Sequence, residues 1–304
     1  MAADAWPSKE PIKIVVGFSP GGTADVAART VSAKMSEILG QNIIVENRPG
    51  AATTIASTYV SRAAPDGYTL YVNSVSMHGL DKVLYPSITY DGNKDFTPIT
   101  RWVSSPAIVV ANNESGITSL ADLVKQAKAN PGKINAATAG KGSTIQLALI
   151  DFMQTTNTQL TEVPFRGGSP ASVSVVAGET QVSFATPPTA LPLAQAGKLR
   201  AISVTTKERS PLFPDIPSSV ESGVQNYDYE FWYGLYSPAN LPQEITDKLY
   251  AASVKALNDP QVKQRLATAG LQANPSSSIE DFKKLIATDG ARMAAFGKII
   301  GSLE

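Results

Sequence analysis

The chain has 304 residues, 43% of them apolar and 17% charged, with 26 Lys and Arg against 26 Asp and Glu. This balance excludes a global basic field for nucleic acid or an anionic membrane, and no apolar run of about 18 residues is present to span a bilayer; the length calls for one large domain or two medium ones. With no Cys and a single His, disulfides, thiol nucleophiles and multi-His metal sites are excluded too, so neither metal nor cofactor is expected.

The start, MAADAWPSKEP, is short and polar with no apolar h-region. It reads as the mature end left by signal-peptide cleavage with Met1 added for expression, and the final Leu303-Glu304 reads as a cloning remnant. IKIVVGF (12–18) is a continuous apolar run, expected of a strand buried on both faces. A helix follows, with Ala27, Val31, Met35 and Ile38 at helical spacing and Gly40 as its stop. NIIVENR is the next strand, a helix covers roughly 53–64 until Pro65-Asp66-Gly67, and YTLYVNS is a third strand. After a long irregular stretch containing YDGNKDFTPI, PAIVVAN (106–112) is a fourth. This order predicts a parallel, doubly wound sheet.

A second unit opens with a helix in 118–133, where Ser119 and Asp122 form its cap and Asn-Pro-Gly its stop. INAATAG (134–140) is a strand, and KGSTIQLALIDFMQ turns at once into a helix with Ile145, Leu149 and Phe152 on one face. TEVPFRGG, VSVVAGETQVSF and KLRAISVT continue the alternation. RSPLFPDIPSSVESG is a proline-rich connection, and YDYEFWYGLYSP (227–238) is an aromatic, buried strand. Two helices near 242–257 and 260–269, then a third from the SIEDF cap near 278, close the chain.

Two segments about 120 residues apart share one plan: strand, loop of small residues, helix. In the first, Ser19, Pro20, Gly21, Gly22 and Thr23 form the loop; in the second, Gly140, Lys141, Gly142, Ser143 and Thr144 do. Gly17 and Gly22 have P-loop spacing, but Thr23-Ala24 stand where Lys-Ser/Thr should be, and Ile145 replaces the third Gly of a dinucleotide fingerprint. Nucleotide binding is therefore disfavoured. Plain tight turns remain one reading, and a site for a small carboxylate fits better, because Ser19, Thr23, Ser143 and Thr144 add hydroxyl donors to backbone N–H groups at two helix starts. Arg166 could clamp a carboxylate or serve a surface ion pair. Ser74 and Ser76 follow a strand end, where α/β sheets bind ligands. No nucleophile elbow is present, and a Ser–His–acid device would have to rest on His78.

Taken together, VVGFSPGGTADVAAR, VENRPGA, APDGYTLYV, DFTPI, LVKQAKANPGKINAATAGKGST, VPFRGGSPA, AGKLRAISVT, RSPLFPDIP and FWYGLYSPANLP resemble the Bug (TctC-like) family, the periplasmic solute-binding receptors of tripartite tricarboxylate transporters. The likeness runs from about residue 10 to about 300. It implies a two-lobed α/β binding protein of the type II, Venus-flytrap kind, each lobe a mostly parallel sheet flanked by helices. Lobe 1 is expected at 1–111 plus 227–304 and lobe 2 at 112–226, with hinge strands near 107–113 and 224–232. The ligand is a small organic acid, gripped through Phe18 to Thr23 and Gly140 to Thr144 and lined by Ser74, Ser76, His78, Phe165, Arg166 and Gly167, with Ala185 and Thr186 beside them. Family members often carry Asp in the segment matching SFATPPTALP. Ala185 stands there in this chain, which makes an amino-acid ligand less expected than an aliphatic or aromatic acid, with Phe18, Phe165, Phe184 and Trp232 as apolar walls. The implied partners are the carboxylate and the membrane permease subunits, with no nucleic acid; the chain is expected as a periplasmic monomer that does not itself cross the membrane. The alternatives are a carboxylate sensor serving a two-component system, and an enzyme acting on a carboxylic acid through His78.

Overall fold

The computed structural model describes residues 6–302, so the expectations about Met1 and about Leu303-Glu304 lie outside the described residues. Contacts divide the chain into two compact units. Among the described residues, one holds 6–20, Ala24–Ser104 and 232–302; the other holds Gly21–Thr23 and Ser105–Phe231. These divisions fall some residues away from the expected 111/112 and 226/227, because the strand at 108–111 hydrogen-bonds into the second sheet.

In the first unit, β1 (Ile12–Val16) leads to α1 (Thr23–Leu39), β2 (Ile43–Asn47), α2 (Thr54–Ser61), β3 (Thr69–Asn73) and the short α3 (Leu80–Leu84). β4 (Phe96–Pro106) then begins inside the stretch read as irregular. Its Pro98 and alternating polar residues hide the strand from a simple apolar count. α1 ends as its sequence dictates: Gly40 turns left-handed at φ 65°, and Gln41 N–H reaches back to the Ser36 carbonyl at 3.3 Å.

The second unit runs β5 (Ile108–Ala111), α4 (Leu120–Ala129), β6 (Asn135–Thr138), α5 (Thr144–Thr156), β7 (Thr161–Pro164), α6 (Gly168–Val176), β8 (Val182–Ala185), α7 (Pro187–Gln195) and β9 (Arg200–Val204). The chain returns to the first unit in β10 (Glu230–Pro238), followed by α8 (Gln243–Asn258), α9 (Pro260–Thr268), β11 (Gln272–Ala273) and α10 (Ile279–Ser302). The expected caps are present: Ser119 Oγ accepts from Asp122 N–H at 3.0 Å, and Ser278 Oγ from Asp281 N–H at 3.0 Å.

The first sheet has the order β11-β4-β10-β3-β1-β2 and the second β7-β6-β8-β5-β9. The βαβ strands are parallel: β1 with β2 and β3, and β6 with β7 and β8. β10 beside β3, β11 beside β4 and β5 beside both its neighbours run antiparallel, so each sheet is mixed. The two-unit α/β class is as expected, and β5 and β10 are the strands by which the chain enters the second sheet and returns to the first, each without a crossover helix before it.

The core of the first unit packs Ile14, Val16, Leu70 and Val72 under Ala27, Val31 and Met35 of α1, all of them fully buried. Tyr71, Tyr90 and Phe96 stack at one end, and Trp232, Tyr236 and Phe282 at another. The core of the second unit centres on Phe152, Phe184 and Tyr227. The aromatic stretch 227–238 is a buried strand region, as its composition implies.

Candidate functional site

In the first unit, β1 and β3 are parallel neighbours with Val16 opposite Val72, so the segments following them leave the same sheet edge. Ser19, Pro20 and Gly21 are exposed there and Phe18 is half-buried, its ring edge-on to Tyr233 at 5.5 Å. Gly21 is left-handed at φ 80°, a conformation costly for other residues. Thr23 begins α1, and its Oγ1 is buried without a hydrogen-bond partner. Ser19 Oγ makes no hydrogen bond among the described residues. The first N–H groups of a 17-residue helix also lack intrahelical acceptors. Such a corner presents hydroxyl and amide donors with the favourable end of the helix dipole, which suits an anion.

The loop is held by residues the sequence did not mark. Asn47, the last residue of β2, donates its Nδ2 to the Phe18 carbonyl at 3.0 Å and to Asp25 Oδ1 at 2.9 Å. Arg29 completes the set, bonding Asp25 Oδ1 at 2.9 Å and Asn47 Oδ1 at 2.8 Å. Asp25 is thus a buried carboxylate already neutralised by Arg29, a positioning group for the loop. On the other side Gly17 rests against Thr53: a Cβ at 17 would lie 2.7 Å from Thr53 Cβ. Thr53 closes a turn in which Ala51, Ala52 and Thr53 have φ of 42°, 48° and 76°. Three consecutive non-glycine residues in the left-handed region store strain beside the loop. Asn73 Nδ2, bonded to Tyr71 Oη at 2.9 Å and Thr53 Oγ1 at 3.4 Å, ties the turn to β3.

Ser74, Ser76 and His78 are all buried. Ser74 and Ser76 bond each other at 3.0 Å, while His78 Nδ1 faces Asn93 Oδ1 at 3.1 Å and its ring lies against Tyr236. The 75–78 turn that carries His78 is pressed on α10, where a Cβ at Gly79 would sit 2.2 Å from the Gly290 carbonyl. Burial lowers the His78 pKa to about 4, so the imidazole is neutral at pH 7. Neither serine bonds it, so no Ser–His pair exists here.

In the second unit, the loops after β6, β7 and β8 share one edge, since these strands are parallel. Gly140 and Gly142 are left-handed at φ 95° and 78°. The backbone N–H groups expected to face a ligand are largely engaged within the loop. Gly140 N–H donates to Thr138 Oγ1 at 3.3 Å, Gly142 N–H to Gln146 Oε1 at 2.6 Å and Ser143 N–H to the Gly140 carbonyl at 3.1 Å. Ser143 Oγ in turn caps α5 by accepting from Gln146 N–H at 3.2 Å. Gln146 is itself held by Glu162 Oε2 at 2.8 Å, and Glu162 Oε1 by Thr138 Oγ1 at 2.6 Å. The Ser143-x-x-Gln146 spacing is a capping-box pattern, the signal by which Gln146 could have been found. Gly142 and Ser143 therefore shape a rigid loop, in which the half-buried Lys141 follows Gly140.

The neighbouring loop packs close, with the Phe165 carbonyl 3.5 Å from where a Gly140 Cβ would be. Arg166 is exposed and pairs with no carboxylate among the described residues, so the surface ion-pair reading falls away. Gly167 precedes α6 with φ 126° and ψ 169°. Thr186 precedes α7 and is buried. Ala185 is fully buried in the cluster with Ile108, Val204 and Phe213, and Phe184 is fully buried against Phe152 and Tyr227. Both are packing residues, which corrects their placement as ligand contacts. Trp232 is buried with its Nε1 bonded to Asp289 at 2.6 Å. Among the described residues no cluster of metal-ligating side chains occurs and no helix is long and apolar enough to cross a membrane.

Two mixed α/β units carry glycine-rich strand-to-helix loops, with hydroxyl and amide donors in the first and Lys141 and Arg166 added in the second, an arrangement that suits an anionic ligand. The profile of the tripartite tricarboxylate transporter family receptors (TctC) matches residues 27–303, and the chain belongs to that family. It is a receptor, not an enzyme. It is similar to a UPF0065 protein encoded between tcbD and tcbE in Pseudomonas sp. strain P51, with 35% identity over 270 residues, 88% of this chain and 80% of that protein. Among solved structures it is similar to Rpa4515 of R. palustris with adipate, at 29% identity and TM-score 0.91 over 97% of this chain and 98% of that one. It is likewise similar to MatC of Rhodopseudomonas palustris with bound malate, at 31% identity and TM-score 0.86 over 95% and 99% of the two chains.

Proposed function

We propose that this receptor works in the periplasm as a monomer, captures a small organic dicarboxylate and passes it to the permease subunits of a tripartite transporter. The observation that carries the reading is Thr23: a buried hydroxyl without a partner at the start of α1, beside Ser19 and the left-handed Gly21. A carboxylate supplies the acceptor that this corner lacks. Taken separately, Phe18 to Thr23 form one donor set that suits a carboxylate, and in the second unit Lys141 and Arg166, with the hydroxyls of Ser143 and Thr144, form another. The hinge strands of this reading are those expected near 107–113 and 224–232.

Similar proteins solved with adipate and with malate, both dicarboxylates, support a doubly charged ligand. None of the proposed contacts is acidic, so an ammonium group has no counter-ion among them. Thermal-shift screening and calorimetry with adipate, malate, succinate, their monocarboxylate analogues, aspartate and glutamate test this. Stabilisation and tight binding are expected for adipate, malate or succinate, the dicarboxylates without an ammonium group, and not for the monocarboxylates, aspartate or glutamate. Binding confined to the amino acids, or to none of these acids, would overturn it.

A further inference from the structure

The helix that follows the first glycine loop carries an acid where an anion is to be held. Asp25 is the third residue of α1 and the acid of its first turn. At about 1.5 Å of rise per residue it stands about 3 Å along the axis from Thr23, whose buried hydroxyl lacks a partner. A carboxylate in that turn repels a second one placed at the helix start. Asp25 is 4% exposed, so water screens little of its charge.

Arg29, about one turn further along α1, answers that charge. Its Nε donates to Asp25 Oδ1 at 2.9 Å and its Nη2 to Asn47 Oδ1 at 2.8 Å. Asn47 is itself oriented, because its Nδ2 donates to the Phe18 carbonyl at 3.0 Å and to Asp25 Oδ1 at 2.9 Å. A flipped amide would set its oxygen against both acceptors. The half-exposed arginine is thereby fixed on one buried carboxylate. A surface pair of residues four apart on a helix adds little to stability, so the fold alone gains little from this double attachment.

We propose that Arg29 is a positioning residue for ligand capture that acts through Asp25: held by Asn47, it cancels the Asp25 charge so that the helix start accepts a carboxylate. The inference rests on the receptor reading above. Its test compares R29Q, R29K and R29Q/D25N with the wild type by calorimetry at pH 8 with adipate, malate and succinate. R29Q, which uncovers Asp25, should bind about tenfold or more weakly. R29K keeps the charge but not the fork that reaches Asn47, and should stay within about threefold of the wild type. R29Q/D25N removes both charges and should return to within about threefold, which also shows that glutamine at 29 leaves the fold intact. Unchanged binding by R29Q would overturn the proposal. So would a loss in R29K as large as in R29Q, the mark of a brace, or a loss that persists in R29Q/D25N, the mark of a direct contact with the acid. Each of these outcomes leaves the receptor reading in place. Binding of aspartate or glutamate alone by the wild type would end the dicarboxylate reading, and the same variants then test Arg29 with that acid. A wild type that binds none of these acids overturns both.

Discussion

Gln146 Oε1 accepts the backbone N–H of Gly142 at 2.6 Å, so a side chain in the first turn of α5 fixes the glycine loop that precedes it. The same amide donates to Glu162, whose other oxygen takes the Thr138 hydroxyl. A loop with two left-handed glycines has many alternatives in the absence of such a brace. Gln146→Ala leaves the Gly142 N–H without its acceptor and should lower stability by about 1–3 kcal/mol. Ligand affinity should fall about tenfold, because Lys141 loses its fixed base. Urea unfolding and calorimetry check both, and unchanged affinity would show that the loop needs no brace.

Thr23 offers a sharper separation of binding from stability. Thr23→Val keeps the shape and removes a buried hydroxyl that has no partner in the protein. Stability should hold or rise slightly, since an unsatisfied polar group is removed. Ligand affinity should fall about tenfold or more if the hydroxyl donates to a carboxylate, a charged bond being worth about 1.5–3 kcal/mol. Thr23→Ser should retain most of it. Equal affinities in the Val and Ser variants would remove Thr23 from the site.

The strained turn beside the first loop predicts an unusual gain. Ala52 sits at φ 48°, ψ 45° between Ala51 and Thr53, which are also left-handed. An L-residue pays about 1–2 kcal/mol there that glycine does not, partly offset by glycine's freedom in the unfolded chain. Ala52→Gly should therefore stabilise the protein by up to about 1 kcal/mol, measured by urea unfolding. Destabilisation would mean that the Ala52 methyl makes contacts worth more than the strain.

Much of this was legible in the sequence. The apolar run at Ile12–Val16, the helical spacing of Val31 and Met35 and the Ser119 cap are local signals, and they read correctly. The strand at Phe96–Pro106 was not legible, because Pro98, Thr100 and Ser104 break its apolar pattern while β10 and β11 complete it from distant parts of the chain. At the candidate site, the glycine loops could be found by composition. Which of their N–H groups are already engaged could not, since that depends on Gln146, Glu162 and Thr138 meeting in space. Ala185 misled for the same reason: its burial with Ile108, Val204 and Phe213 depends on strands distant in sequence.

Two buried groups near the end of β3 make opposite demands on pH. Asp81 accepts from Tyr90 Oη at 2.6 Å and has no ion pair among the described residues; burial raises its pKa from 3.8 to about 7. Its contribution to stability is complete below pH 3.8 and is lost as pH rises toward 7, because the unfolded chain releases the proton first. His78 is the reverse: burial lowers its pKa from 6.5 to about 4, so its contribution is complete above pH 6.5 and is lost as pH falls through 4. Between pH 4 and 6.5 the two slopes, each at most about 1.4 kcal/mol per pH unit, oppose each other. Asp81→Asn should leave the His78 slope exposed, with stability rising from pH 4 to 6.5 and exceeding the wild type at pH 8. His78→Gln should leave the Asp81 slope, with stability falling from pH 4 to 7. Urea unfolding of the three proteins across pH 4 to 8 cancels contributions from all other groups in the differences. Parallel profiles would show that neither group titrates differently in the folded protein.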